Sequence, residues 1–176
     1  DYSQAGAYFV TICTQNRLCL FGEILEGEMR LNDAGQIVAQ EWIKTAQIRN
    51  EIELDEWVVM PNHFHGIVMI SDPDTNVGDW RNQMIVSTEI FGNRGLGDQP
   101  VAPTGARSRS LGAMVGGFKS AVTKWSHQNN YEDFKWQPRF FDHIIRNQND
   151  LHRIRTYIRN NPVKWEIDKY YTCLLY

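Results

Sequence analysis

Residues 58–70, Val-Val-Met-Pro-Asn-His-Phe-His-Gly-Ile-Val-Met-Ile, constrain the fold of this 176-residue chain more than any other stretch. Apolar and β-branched residues dominate both sides of Pro61-Asn62, and such residues suit extended strands whose side chains alternate between two faces. His63, His65, Ile67 and Met69 therefore share one face, and Phe64, Val68 and Ile70 share the other. The second set can anchor the strand in a core while the first presents two imidazoles pointing the same way, close enough to share a metal ion. The motif is short, and a pair of hydrogen-bonded histidines on a half-buried strand is its ordinary alternative.

The rest of the chain supplies partners for this strand. Residues 7–14 read as a β-branched and aromatic strand, and Asn32 or Asp33 caps a helix that runs to about Arg49 through Ile37, Val38, Trp42 and Ala46. Residues 53–60 and 63–70 form an antiparallel pair across the Pro-Asn turn. Ser110 caps a second helix, in which Leu111, Val115, Phe118, Val122 and Trp125 form the buried stripe and Lys119 and Lys124 lie off it. Residues 134–141 read as a fourth strand. Asp150 then caps a helix that stops at Pro162, with Leu151, Ile154 and Ile158 buried and Arg153, Tyr157 and Asn161 in one row at intervals of four. A residue before proline disfavours helical angles, which puts the Asn161 amide at the helix terminus, turned away from it. The order β-α-β-β-α-β is that of an α+β, ferredoxin-like sandwich with an antiparallel sheet, plus a C-terminal helix carrying the tyrosine. With both main helices on one face, the opposite face is free for a substrate and for the tyrosine helix. Residues 71–108 lack periodicity and contain Pro73, Pro100, Pro103 and five glycines, which reads as a long flexible loop within a single domain spanning 1–176.

A hydrophobic content of 42% fits one folded domain with a substantial core. Cys13, Cys19 and Cys173 are odd in number and form no C-x-x-C pair, which argues against a zinc ribbon or a disulfide framework and for a reducing, cytoplasmic setting. No apolar run has the length of a bilayer span, and no charged-then-hydrophobic signal opens the chain. The net charge of −3 conceals an asymmetry: residues 1–100 carry −9 and residues 101–176 carry +6. A basic second half implies a polyanion-facing surface, with Arg107, Arg109, Lys119, Arg139, Arg146 and Arg153 as candidate phosphate contacts and Trp136 as a platform for an unpaired base. Each has an ordinary reading too, as a solvated charge or a core tryptophan.

The motif Met-Pro-Asn-His-Phe-His-Gly followed by Tyr-Ile-x-x-Asn-Pro resembles the IS200-like transposases, specifically the REP-associated tyrosine transposase branch of the HUH single-strand endonucleases. The resemblance covers nearly the whole chain, including residues 6–14, residues 111–124, and Trp136-Gln137 through Arg146. It implies that His63 and His65 are the metal-binding, catalytic histidine pair and that Tyr157 is the nucleophile. Asn161 takes the place of a metal-binding glutamine, a replacement that fits the REP-associated branch. It further implies a divalent ion, magnesium or manganese, although imidazole donors by themselves suit manganese or zinc better. The implied partner is single-stranded DNA with a hairpin, cleaved beside the hairpin through a 5′-phosphotyrosine and rejoined without ATP, in the bacterial cytoplasm and at the nucleoid. Asp142 and His143 match the family pattern without an assigned role. A cupin-type iron site also uses H-x-H but needs a carboxylate shortly downstream, and residues 66–70 contain none. Two alternatives stay open: a noncatalytic single-strand DNA or RNA binding module on the same scaffold, and a hydrolase that uses water instead of tyrosine. A monomer using its own tyrosine and a homodimer exchanging tyrosines are both compatible with the sequence.

Overall fold

The computed structural model describes residues 5–71 and 110–171. The expected loop over 71–108, with Arg107, Arg109 and Cys173, therefore lies almost wholly outside the described residues. Strands β1 (Gly6–Cys13), β4 (Ile52–Met60), β5 (His63–Ile70) and β6 (Phe141–Ile145) form one antiparallel sheet in the order β4-β5-β1-β6. A hairpin of β2 (Gly22–Leu25) and β3 (Glu28–Leu31) stands apart from it. Helices α1 (Asp33–Ile48) and α2 (Leu111–Gln128) complete the ferredoxin-like order, and α3 (Gln148–Asn160) follows as the extra helix.

Two cores flank the sheet, and they follow the alternation of β5. On one side Phe64, Val68 and Ile70 join Trp42 and Val38 of α1 and Val115, Phe118 and Val122 of α2. On the other side Ile67 and Met69 join Ala7, Phe9 and Ile145 against Leu151, Ile154 and Ile158 of α3. All eight residues of β5 are consequently buried, so the histidine face is roofed by the tyrosine helix rather than open. Asn32 caps α1 by accepting from the Gly35 amide at 2.9 Å, and Ser110 caps α2 by accepting from the Ala113 amide at 3.2 Å.

Gly66 marks a close approach between sheet and helix. A Cβ there would lie 2.6 Å from Cζ2 of Trp42 and 2.8 Å from Cε1 of Phe64, two rings whose centroids are 4.5 Å apart. Gly66→Val should therefore lower stability by roughly 1–3 kcal/mol through overpacking. A urea-denaturation midpoint equal to the wild type's would contradict this packing.

Four local expectations are corrected. The fourth strand is Phe141–Ile145, not residues 134–141: Pro138 lacks an amide donor, and the earlier aromatic run contributes only a single bridge between Thr14 and Trp136. The β2–β3 hairpin was not foreseen. Helix α3 starts a turn earlier than expected, because Asn147 rather than Asp150 is its cap, accepting from the Asp150 amide at 2.9 Å. Asn161 keeps helical angles (φ −61°, ψ −44°) despite the following proline, held by its amide's bond to the Ile158 carbonyl and by its side chain's bond to Asp168.

Candidate metal centre and nucleophile

β5 delivers His63 and His65 side by side, both essentially inaccessible to solvent. Their Nε2 atoms are 3.0 Å apart. The outer nitrogens are each held. His63 Nδ1 lies 2.7 Å from Oδ1 of Asn62, and His65 Nδ1 lies 2.8 Å from Oγ1 of Thr11, its register partner on β1. Asn62 cannot be turned over, because its Nδ2 donates to the carbonyls of Arg17 (3.1 Å) and Tyr170 (2.9 Å). Its Oδ1 must therefore accept from Nδ1–H of His63, which leaves the Nε2 lone pair of that ring directed into the site. Thr11 can accept in the same way from His65, giving two lone pairs that converge on one point. Outer partners of this kind fix ligand tautomers in metal sites.

Burial keeps both rings neutral. His63 is pushed down to about 4, chiefly by desolvation, with the Asp168 charge opposing it. Desolvation also holds His65 well below the ordinary histidine value, helped by its neighbour His63. The unfolded chain, with histidines near 6.5, binds more protons than the folded one between about pH 6.5 and pH 4. Stability of the metal-free protein should thus be fully present above pH 6.5 and fall as pH drops towards 4. The loss for His63 alone is on the order of 3 kcal/mol. Urea midpoints that stay level from pH 7 to pH 4.5 would contradict the buried, neutral assignment.

The third member of the site, and its charged one, was not foreseen. Asp168 follows the short 3-10 turn Trp165–Ile167, and a donor atom from each of His63, His65 and Asp168 lies within 4.8 Å of the others. Its Oδ1 accepts from the Tyr170 amide at 2.7 Å, and its Oδ2 accepts from Nδ2 of Asn161 at 2.9 Å. That bond sets the Asn161 amide so that its buried Oδ1 has no hydrogen-bond partner. Two imidazole nitrogens, a carboxylate and an orphaned amide oxygen are a donor set that could hold a divalent cation. No helical period reaches position 168, so pattern reading had no signal for it.

Tyr157 stands over this cluster from α3. Its oxygen is 3.3 Å from Nε2 of His65 and 3.4 Å from Oδ2 of Asp168, and its ring packs edge-on against Phe9. The tyrosine thus sits on the histidines of its own chain. Burial, and then the Asp168 charge, raise its pKa well above the ordinary phenol value. A cation in the cluster would reverse the second effect and favour the phenolate. Beside Tyr157 opens a pocket of about 690 Å³, with Arg153, Lys164 and Lys169 on its wall and His143 at its edge. Asp150 links two of these, accepting from Nε2 of His143 at 2.7 Å and from Arg153 at 2.5 Å. Tyr170 covers His63 with its ring centroid 4.7 Å away.

The other expected DNA contacts scatter. Lys119 belongs to α2 on the far face and donates to the Gln137 and Pro138 carbonyls. Trp136 is a core residue, 8% exposed, whose Nε1 donates to the Lys119 carbonyl. Its ring is tilted against Phe21 and Phe118, which corrects the expectation that it stacks on a base. Arg139 and Arg146 are exposed but do not line the tyrosine pocket. No helix among the described residues is long and apolar enough to cross a membrane.

No protein-family model matches the chain. An uncharacterised protein of Haemophilus influenzae is 36% identical over 174 residues, spanning 97% of this chain and 88% of that protein. The REP-associated tyrosine transposase of Escherichia coli is 24% identical over 164 residues, spanning 93% of this chain and 70% of that protein. A solved REP-associated tyrosine transposase bound to a REP hairpin shares the fold, with a TM-score of 0.59 at 22% identity, over 96% of this chain and 73% of that one.

Proposed function

We propose that the chain, which resembles the REP-associated tyrosine transposases in sequence and fold, is a metal-dependent single-stranded DNA transesterase. In this reading it nicks DNA beside a hairpin and rejoins strands. The observation that carries this is the placement of the Tyr157 oxygen 3.3 Å from His65 and 3.4 Å from Asp168, over a cluster with an unpartnered amide oxygen.

His63, His65 and Asp168 would hold the cation, with Oδ1 of Asn161 as the further donor. When bound, the cation would supply Lewis-acid polarisation of a nonbridging phosphate oxygen. Tyr157 attacks the phosphorus, forming a phenol oxygen–phosphorus bond and breaking the bond to the 3′ oxygen. The phenol proton passes to solvent water, and the departing 3′ oxygen takes a proton from solvent to become a 3′-OH. The 5′-phosphate stays on Tyr157, so a second 3′-OH can reverse the step on another strand without ATP. Arg153, Lys164 and Lys169 place positive charge on the pocket wall that receives the phosphates.

Single-stranded oligonucleotides carrying the hairpins that flank the gene, incubated with the protein and Mn²⁺, test this reading. The expected outcome is a nicked product and a protein–DNA adduct, both abolished by EDTA. Hairpin binding without nicking would favour the noncatalytic module, and nicking without an adduct would favour a hydrolase.

A further inference from the structure

We propose that His143 is the relay through which the departing 3′ oxygen draws its proton from solvent, and that Asp150 is the residue that positions it; this rests on the transesterase reading and deepens it. Alternation along β6 sets the direction of the ring. Ile145 joins the core beneath α3, so Phe141 and His143 share its face of the sheet. His143 pairs in register with Phe9 of β1, whose ring stacks on His65 and meets Tyr157 edge-on. His143 and Tyr157 consequently line one pocket. Of the two imidazoles on its wall, His65 belongs to the metal cluster, which leaves His143 for proton transfer.

Asp150 holds that ring in one protonation pattern. It sits in the first turn of α3, with its amide bonded to the Asn147 cap. Burial opposes its charge, but hydrogen bonds from Arg153 and His143 outweigh burial and hold the carboxyl below its ordinary value. An ionised carboxylate only accepts, so Nε2 of His143, 2.7 Å from Oδ2, carries the hydrogen of that bond. Nδ1 is then the nitrogen that gains and loses a second proton, and it has no hydrogen-bond partner among the described residues. A carboxylate against one ring nitrogen stabilises the imidazolium formed when the other is protonated. Arg153, bonded to Oδ1, keeps the carboxylate from turning away. The His143 side chain is 38% exposed, so it reloads from water, unlike the buried His65.

The step balances in both directions. As the Tyr157 oxygen binds phosphorus and the bond to the 3′ oxygen breaks, Nδ1–H of the His143 imidazolium gives its proton to that oxygen. The neutral ring then exchanges protons with water. When strands rejoin, the neutral ring takes the proton of the incoming 3′-OH as its oxygen binds phosphorus. The bond from phosphorus to Tyr157 breaks in the same step, and the tyrosine oxygen regains a proton from solvent. An imidazole serves both directions because it gives and takes protons near neutral pH.

The test uses a flanking hairpin oligonucleotide in two forms, with the ordinary 3′ oxygen or with sulfur in that bridging position at the scissile phosphate, and Mn²⁺ throughout. Sulfur departs as a thiolate without being protonated, so only the oxygen form needs an acid. His143→Ala should nick the oxygen form about 100-fold more slowly than the wild type and the sulfur form at the wild-type rate. Its affinity for the hairpin, read by fluorescence anisotropy, should be unchanged. Asp150→Asn should show the same pattern with a smaller loss. His143→Gln, which keeps a polar side chain on β6, should follow the alanine variant and replaces it if that variant does not fold. Equal losses on the two forms would assign His143 to structure or substrate binding and overturn the relay, as would full activity on both. A wild type that forms no adduct with either form overturns the transesterase reading and the relay with it, a result distinct from the others.

Discussion

Tyr157→Phe should bind hairpin DNA as tightly as the wild type and form no covalent adduct. Only the oxygen is lost; the ring keeps its edge contact with Phe9, and Ile154 and Ile158 keep α3 on the sheet. Removal of a nucleophile that no neighbour replaces lowers the rate by more than about 1000-fold. Strand-transfer assays on denaturing gels would measure this. Adducts formed at wild-type rates by the Phe variant would remove Tyr157 from the chemistry, and Tyr170, stacked on His63, would be the next candidate.

Asp168→Ala should weaken Mn²⁺ binding by at least about 100-fold, more than the effect expected for an outer-shell change. Asn161→Ala should cost less, about 10-fold, because a neutral amide oxygen is a weaker donor than a carboxylate. The loss in Asp168→Ala has two sources: the carboxylate leaves the ligand set, and Nδ2 of Asn161 loses the bond that orients its amide. Isothermal titration with Mn²⁺ at pH 7.5 reads both variants without reference to catalysis. Wild-type affinity in Asp168→Ala would leave His63 and His65 as the only anchors and return the third position to Asn161.

The parts of the fold that the sequence announced are those in which burial has a period. β5 alternates between two cores, so Phe64 and His65 could be assigned to opposite faces without coordinates. The stripe of Leu151, Ile154 and Ile158 likewise put Tyr157 and Asn161 on one side of α3, where Tyr157 meets His65 and Asn161 meets Asp168. What escaped notice lacks a period. Asp168 leaves a short 3-10 turn, and only the tertiary path of the chain carries it back to His63. The β2–β3 hairpin turns through Glu26-Gly27, both at positive φ, a geometry associated with Asn-Gly or Asp-Gly more readily than with Glu-Gly. Trp136 was misjudged because strand-forming aromatics and base-stacking aromatics have the same composition; its burial separates them.

Charge was legible only in part. The basic excess after residue 100 is real in the sequence, but α3 directs Arg155 and Arg159 to Asp55 and Glu56 of β4, where they hold the helix to the sheet. A count of cations along the sequence therefore overstates the positive face that the fold presents.

Catalysis by this site requires that the Tyr157 oxygen carry the DNA. Trypsin cuts after Arg155 and Arg159, isolating Thr156, Tyr157, Ile158 and Arg159 on one short peptide, while Tyr170 and Tyr171 fall on another beyond Lys169. Protein incubated with a flanking hairpin and Mn²⁺, digested with nuclease and trypsin, and analysed by mass spectrometry should yield that four-residue peptide bearing a nucleotide remnant on Tyr157. A remnant on Tyr170 or Tyr171, or cleaved DNA with a free 5′-phosphate and no modified peptide, would contradict the assignment.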